Sequence, residues 1–349
     1  MGSQDKLTII TTPHYGYDLL VRFLRYYESY GFPVPILVLD SSEDAPQPAV
    51  LQKLLAHDKI RYMKFDHGTR FEEKLVKGLI KVTTPYSVIS SEDDFFIPGS
   101  LNKAVEFMEK NKDYSVAHGK YIVFWTGDLN NKKEFKWRSI PDFKSIDLSG
   151  AADRVFRHLS QYEIPTFSGV HRTPLLQQVW EEAIRYTDDL RFGELLPSLI
   201  TLVYGKMENL NIFYGARRGN VLSTGQTLKP LINYLNDGSY DTKYRRFKEC
   251  LLKHLLAQSP LDIKSIEKVI DKAMKKNIIK SYGYPLFFFK LSNVKILKAV
   301  YVIFKKRSQR LVPLPDSKTD ETAGSCPSLD NPQSEFYNDF IKIKEIVLS

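Results

Sequence analysis

Over the first hundred residues, short apolar β-prone runs alternate with stretches whose apolar residues recur at helical spacing, and each run ends in a polar turn. Leu7-Thr8-Ile9-Ile10 reads as a buried strand and Thr11 to Gly16 as the turn after it. From Asp18 to Tyr30 the residues Leu19, Leu20, Phe23, Leu24 and Tyr27 form one helical stripe. Val34 to Leu39 is a second strand that ends in Asp40-Ser41-Ser42. Leu51 to Leu55 reads as helix, Ile60 to Phe65 as strand and Phe71 to Lys81 as helix. Tyr86 to Ile89 is then the strand that leads into Ser91-Glu92-Asp93-Asp94. This alternation predicts an α/β fold, a mostly parallel sheet flanked by helices. Ligands of such sheets lie beyond the carboxyl ends of the strands, so Thr11–Gly16, Asp40 and Asp93–Asp94 are expected to share one crevice.

A strand that ends in clustered carboxylates and then meets Phe95-Phe96-Ile97-Pro98 can hold a hard divalent cation, which takes oxygen ligands and bridges to a diphosphate. A solvated acidic turn is the alternative. Strand alternation points Glu92 away from the side of Asp93. Glu194 opens an apolar run that reads as a buried helix, where a carboxylate needs a reason to be. Its plain alternative is charge complementing a helix dipole. Arg217 and Arg218, between Gly215 and Gly219, read as a mobile loop just after the strand Leu210–Tyr214, able to close over phosphates. Arg70 and Lys74, ahead of the acidic strand end, read as a solvated helix face, with nucleotide contact as the alternative.

These segments together resemble the GT-A (Rossmann-like) glycosyltransferases, and within them the bacterial family-2-like branch with an Asp-Asp-Asp-Phe signature. The resemblance is carried by Thr11-Thr12-Pro13, Val38-Leu39-Asp40-Ser41-Ser42 and Tyr86 to Pro98. It continues through Leu101 to Lys110, Asp113-Tyr114-Ser115, His118-Gly119, Tyr162 to Arg172 and Gly193-Glu194-Leu195, about residues 5–220. It implies transfer of a sugar from a nucleotide-sugar donor (UDP-, GDP-, dTDP- or CMP-linked) to a glycan or lipid-linked acceptor, assisted by Mg²⁺ or Mn²⁺. It places Thr11 and Pro13 against the nucleotide, Asp40 at the base or ribose, and Asp93 with Asp94 at the metal. Ser91 stands where the first Asp is expected; its hydroxyl can reach ribose or a metal-bound water but adds no charge. Inverting transfer needs a carboxylate base, for which the resemblance favours Glu194, with Asp189 second and Asp188 also at hand. Arg217 and Arg218 would stabilise the leaving group. His171 and Arg172 fall on the acceptor side, where His171 is either an acceptor contact or a structural histidine. Gly127 to Asp147, with Trp125, Phe135 and Trp137, is the candidate acceptor loop. Surface polysaccharide, lipopolysaccharide or capsule synthesis in a bacterium is the family-level expectation. Two rivals remain: a silent GT-A scaffold or glycan-binding module, kept open by Ser91, and a sugar-phosphate nucleotidyltransferase. The latter needs an arginine-rich first loop, and Thr11–Gly16 has no arginine.

At 349 residues and 43% hydrophobic, the chain can bury one large core plus a smaller module. The expected division is a catalytic domain over 1–222, a helical extension over 223–310 and a flexible acidic tail over 311–349. Gly219 to Gly225 is the crossing point and residues 226–280 are helical. The two cysteines, Cys250 and Cys326, suggest neither a disulfide framework nor a zinc pattern, as in a reducing compartment. No secretory leader or membrane-length apolar run is expected, which points to the cytoplasm. The net charge of +9 is uneven. Residues 281–310 hold seven basic side chains and no acid. As a helix, their lysines fall within an arc of about 160°, opposite Ile296, Leu297, Val300, Ile303 and Phe304. That pattern suits attachment to an anionic membrane, on the inner face of the cell membrane, or a docking helix. Nucleic acid is not an expected partner, because no recognition module accompanies the charge; a homo-oligomer is compatible with the sequence. The tail has seven acidic and three basic residues with scattered prolines, and Phe336 to Leu348 has the pattern of a short docking helix.

Overall fold

The computed structural model describes residues 6–14, 16–43, 47–129, 132–140, 143–219, 234, 237–282 and 329–349. The crossing segment from 220, the basic segment from 283 and the tail up to 328, Cys326 included, lie outside the described residues. The strands are β1 (Leu7–Thr11), β2 (Ile36–Asp40), β3 (Ile60–Lys64), β4 (Tyr86–Ser90), β5 (Phe95–Phe96), β6 (Tyr114–Leu129), β7 (Lys132–Ser139), β8 (Val170–Arg172) and β9 (Lys206–Arg218). Among the described residues they form one nine-stranded sheet in the order β3-β2-β1-β4-β8-β6-β9-β5, with β7 paired to β6. β3, β2, β1 and β4 run parallel, β8 is antiparallel to β4 and β6, and β6 runs parallel to β9.

The helices are α1 (Tyr17–Glu28), α2 (Ala49–Leu55), α3 (Phe71–Leu79), α4 (Pro98–Lys110), α5 (Ala151–Gln161), α6 (Thr173–Tyr186), α7 (Leu190–Tyr204), α8 (Tyr240–Gln258), α9 (Ile263–Tyr282) and α10 (Tyr337–Leu348). Strand alternation divides the core into two layers. Leu7 and Ile9 of β1, Ile36 and Val38 of β2, and Tyr86 and Val88 of β4 face α1, α2, α4 and α10. Ile10, Leu37, Leu39 and Ile89 face α3, α5, α6, α7, α8 and α9. The strands β1, β2 and β4 are buried at every residue, which is why they read as unbroken apolar runs rather than alternating ones.

Two expectations change. Arg217 and Arg218 lie inside β9, which runs on to Arg218, and not in a mobile loop; the pairing of Val123 with Arg217 and Phe124 with Arg218 extends the ladder past Gly215. Glycine is needed there because a Cβ would sit 2.7 Å from the Phe95 carbonyl oxygen of neighbouring β5. Most of the supposed acceptor loop is the β6–β7 hairpin. Its Phe135 stacks on Phe124 at 5.4 Å, and both Phe135 and Trp137 meet Phe340 of α10, so these rings are core rather than acceptor lining. α8 and α9 share one core layer with α5, α6 and α7 through Phe247, Leu251, Ile266 and Ile270.

Candidate active site

The carboxyl ends of β1, β2 and β4 meet at one edge, as parallel register dictates. Turn 12–14 after β1 is held from below: the Lys74 ammonium donates to the Thr12 and Pro13 carbonyls (3.2 and 3.1 Å) and to Ser41 Oγ (2.8 Å). Lys74 is thus 2% exposed, not on a solvated face. Burial pushes its pKa down to about 8, against the pull of Glu92 and Asp40. Glu92 is likewise buried at 6% exposure, because Ser91–Asp94 is a turn and strand alternation has ended. Burial, then Asp93, pushes Glu92 up to about 7. His14 stacks on His67 at 4.6 Å, and both rings contact Ser41. Burial also lowers the His14 pKa.

Asp40 is fully enclosed. Its carboxylate accepts the Ser42 N–H (2.7 Å) and the Tyr62 hydroxyl (2.6 Å), and Lys64 Nζ lies 3.8 Å away. It therefore shapes turn 40–42, and Tyr62 is the group that projects from it. Thr11 Oγ1 and Ser42 Oγ are buried beside it without hydrogen-bond partners.

Across the crevice, the turn Ser91–Asp94 closes with Asp94 N–H on the Ser91 carbonyl at 3.2 Å. Ser91 is exposed, and its hydroxyl points to Glu92 at 3.4 Å. Asp94 Oδ1 accepts the Arg218 N–H at 3.1 Å, which ties this turn to the end of β9. Burial, then Asp93, raises Asp94 to about 7, while Arg217 lowers it. Two crowded carboxylates, one held partly protonated by its surroundings, are a donor set that fits a divalent cation. Arg217 stacks on Tyr121 (4.5 Å to the ring centroid), and its buried Nε and Nη2 find no acceptor among the described residues. Orphaned guanidinium donors suit anionic oxygens.

Glu194 lies in the first turns of α7. Its carboxylate accepts the Tyr162 hydroxyl at 2.8 Å. Burial raises its pKa, opposed by Tyr162, Arg191 and Arg217. Arg217 therefore acts electrostatically on both Asp94 and Glu194. Gly193 lets α7 approach α3, because a Cβ there would lie 2.8 Å from Glu72 Oε1. Asp189 is the α7 N-cap instead: its Oδ1 accepts the Arg191 and Phe192 N–H groups (2.9 and 3.0 Å) and the Tyr234 hydroxyl, and Lys243 lies 3.3 Å from Oδ2. Asp188 pairs with Lys243 and Arg246 outside it.

His171 and Arg172 do not reach the crevice with free donors. The His171 ring is buried against the Gly169 carbonyl at 2.9 Å, and burial lowers its pKa to about 4, so it is neutral. Arg172 donates to the carbonyls of Met108, Asn111 and Tyr114 and to the Tyr86 hydroxyl, a staple at the end of α4. Nothing in the sequence marked Tyr62 or His67, and Tyr162 stood out only as the start of the Tyr162–Arg172 match; their roles depend on partners 22 to 32 positions away.

Residues 24–177 match the family model described as Glycosyl transferase family 2. That match, over less than half of the chain, and the α/β fold mark a glycosyltransferase similar to family 2. Among solved structures it is similar to residues 1–349 of S. aureus TarS in complex with UDP-GlcNAc. That match has 10% identity, covers 78% of this chain and 72% of that one, and has a TM-score of 0.50. At that identity the likeness is one of fold. S. aureus TarS 1–349 without ligand is also similar, with 9% identity, 81% and 73% coverage and a TM-score of 0.48. No curated protein matches the chain.

Proposed function

We propose that the chain transfers a sugar from a UDP-sugar to a hydroxyl of a glycan or lipid-linked acceptor, with inversion, in the synthesis of a bacterial surface polysaccharide. The observation that carries this reading is the Arg217 guanidinium, whose buried nitrogens lack acceptors among the described residues and whose charge bears on both Asp94 and Glu194. The UDP class is favoured by the UDP-GlcNAc complex of the structurally similar TarS.

In this mechanism Glu194, steered by Tyr162, takes the acceptor hydroxyl proton on its free oxygen. The acceptor oxygen bonds to the anomeric carbon while the bond from that carbon to the diphosphate oxygen breaks, and the electron pair leaves with the diphosphate. Arg217, with its unpaired donors, receives that charge. Asp93 and Asp94 would hold Mg²⁺ or Mn²⁺, which offsets diphosphate charge when bound. Turn 12–14 and the Asp40–Tyr62 pair would border the nucleoside, and Ser91 is near enough to the acidic turn to meet ribose. Ser91 also supports one second reading, a silent GT-A scaffold, since it leaves the acidic turn one charge short.

No helix among the described residues is long and apolar enough to cross a membrane. Attachment of residues 281–310 to an anionic inner membrane face rests on their charge pattern alone.

Thermal stabilisation by UDP, GDP, CMP and dTDP, with and without Mn²⁺, tests the donor site on wild type and Asp93→Ala. Stabilisation by UDP that Mn²⁺ strengthens and the variant loses is expected. No response to any nucleotide would sink the transferase reading in favour of the scaffold.

A further inference from the structure

A second cluster with ligand chemistry lies on α6 and α8, elements that carry none of the crevice residues. Cys250 and His254 are four residues apart on α8 and so share one face. Glu182 of α6 meets them there. The Glu182, Cys250 and His254 ligand atoms all lie within 4.8 Å of one another, and all three residues are buried. The Cys250 sulfur is 3.5 Å from Glu182 Oε2, and His254 Nε2 is 3.8 Å from the same oxygen. A tetrahedral zinc with sulfur at about 2.3 Å and nitrogen or oxygen at about 2.0 Å has edges of about 3.3–3.5 Å. Two of the three edges, at 3.5 and 3.8 Å, are close to that spacing before any adjustment.

Independent features aim these atoms inward. His254 is 3% exposed, yet its Nε2 has no hydrogen-bond partner, an orphan that calls for an explanation. Its Nδ1 lies 2.8 Å from the Tyr204 hydroxyl, which in turn accepts from Gln178 at 3.3 Å. With Nδ1 carrying the proton toward Tyr204, the Nε2 lone pair faces the cluster, the arrangement usual behind a metal-bound imidazole. Glu182 is divided in the same sense: Lys253 holds Oε1 at 3.0 Å and leaves Oε2 toward Cys250 and His254. The alternative, an ion pair of His254 with Glu182 and cysteine as apolar filler, leaves Nε2 3.8 Å from Oε2, too far to hydrogen-bond.

We propose that Glu182, Cys250 and His254 form a site for a zinc-type divalent cation that pins the 240–282 helices to α6. Thiolate, imidazole and one carboxylate favour zinc over the hard cations suited to Asp93 and Asp94. On binding, the thiol proton leaves to solvent as the sulfur–metal bond forms, and water supplies the fourth ligand from the side of Lys253, whose half-exposed side chain can swing away.

Cobalt(II) titration of the chelator-treated full chain tests this without reference to turnover. One equivalent should give the thiolate-to-cobalt charge-transfer band and intense tetrahedral d–d bands, and zinc should abolish both. Cys250→Ser should lose the charge-transfer band, whereas Cys326→Ser should keep it. Tyr204→Phe, a milder change, should bind about 10–100-fold more weakly. Bands that survive in Cys250→Ser, or no stoichiometric cobalt uptake by folded wild type, would overturn the proposal. So would an unchanged affinity in Tyr204→Phe. Circular dichroism on each variant separates lost ligation from lost fold.

Discussion

As the proposed base, Glu194 combines two demands that rarely coincide in one residue: it is mostly enclosed, and it would have to lose a proton to act. Burial raises its pKa above the ordinary value of 4.5 while Tyr162, Arg191 and Arg217 oppose the rise. The acid limb of the turnover profile should therefore lie above the range of an exposed glutamate and move further up in Tyr162→Phe, as pH profiles of the two proteins will show. Glu194→Gln should lower kcat by about 10²–10⁴-fold while leaving UDP affinity nearly unchanged. Loss of nucleotide affinity in parallel would instead give Glu194 a structural role. At this scale the sequence displayed the carboxylates and arginines but not their partners. Asp189 and Glu194 look equally available in Asp188–Leu195, and only the N–H groups of Arg191 and Phe192 show that Asp189 is a cap. Lys74 carried no sign of burial, because the turn that it holds belongs to another element.

At the scale of elements, strand β9 aligns the site. It places Arg217 on Tyr121 and offers the Arg218 N–H to Asp94, so any shift of β9 against β5 moves the proposed leaving-group contact. Gly215→Ala, with its Cβ 2.7 Å from the Phe95 carbonyl oxygen, should cost about 1–3 kcal/mol and reduce turnover more than an equally destabilising change elsewhere. Calorimetry and rate measurements on the same preparation check both parts. α10 is the other aligning element. Phe340, Ile343 and Val347 cover α1 and the β6–β7 hairpin, and Phe340→Ala should lower stability by about 3–5 kcal/mol in denaturant unfolding. Periodicity in the sequence located β1, β2, β4, α1 and α10 well. It failed for β6 and β7, where exposed polar residues such as Lys133, Lys136 and Arg138 hide a strand beneath a loop-like composition.

For the whole molecule, buried charge beneath the nucleotide turn should set the response to pH. Glu92 rises from 4.5 to about 7. Between those values the folded chain keeps a proton that the unfolded chain has released, so stability falls as pH rises through that window. Lys74 falls from 10.5 to about 8, so between 8 and 10.5 the unfolded chain holds the extra proton and stability recovers. The nucleotide-free protein should be least stable between pH 7 and 8, with the Glu92 share on the order of 3 kcal/mol. Urea midpoints across that range should show the descent in wild type and a shallower one in Glu92→Gln; coincident curves would contradict it.

The hydrogen bond from Tyr30 to Asp339 joins positions 309 residues apart. A ribosome adding about 5–20 residues per second needs on the order of 15–60 s to pass from one to the other. For that interval the nascent sheet bears an uncovered greasy flank on α1 and β7, where chaperones or a stray neighbouring strand can bind before α10 arrives. The lifetime of that half-made state, rather than the stability of the finished one, is what would set how much of the protein a cell recovers.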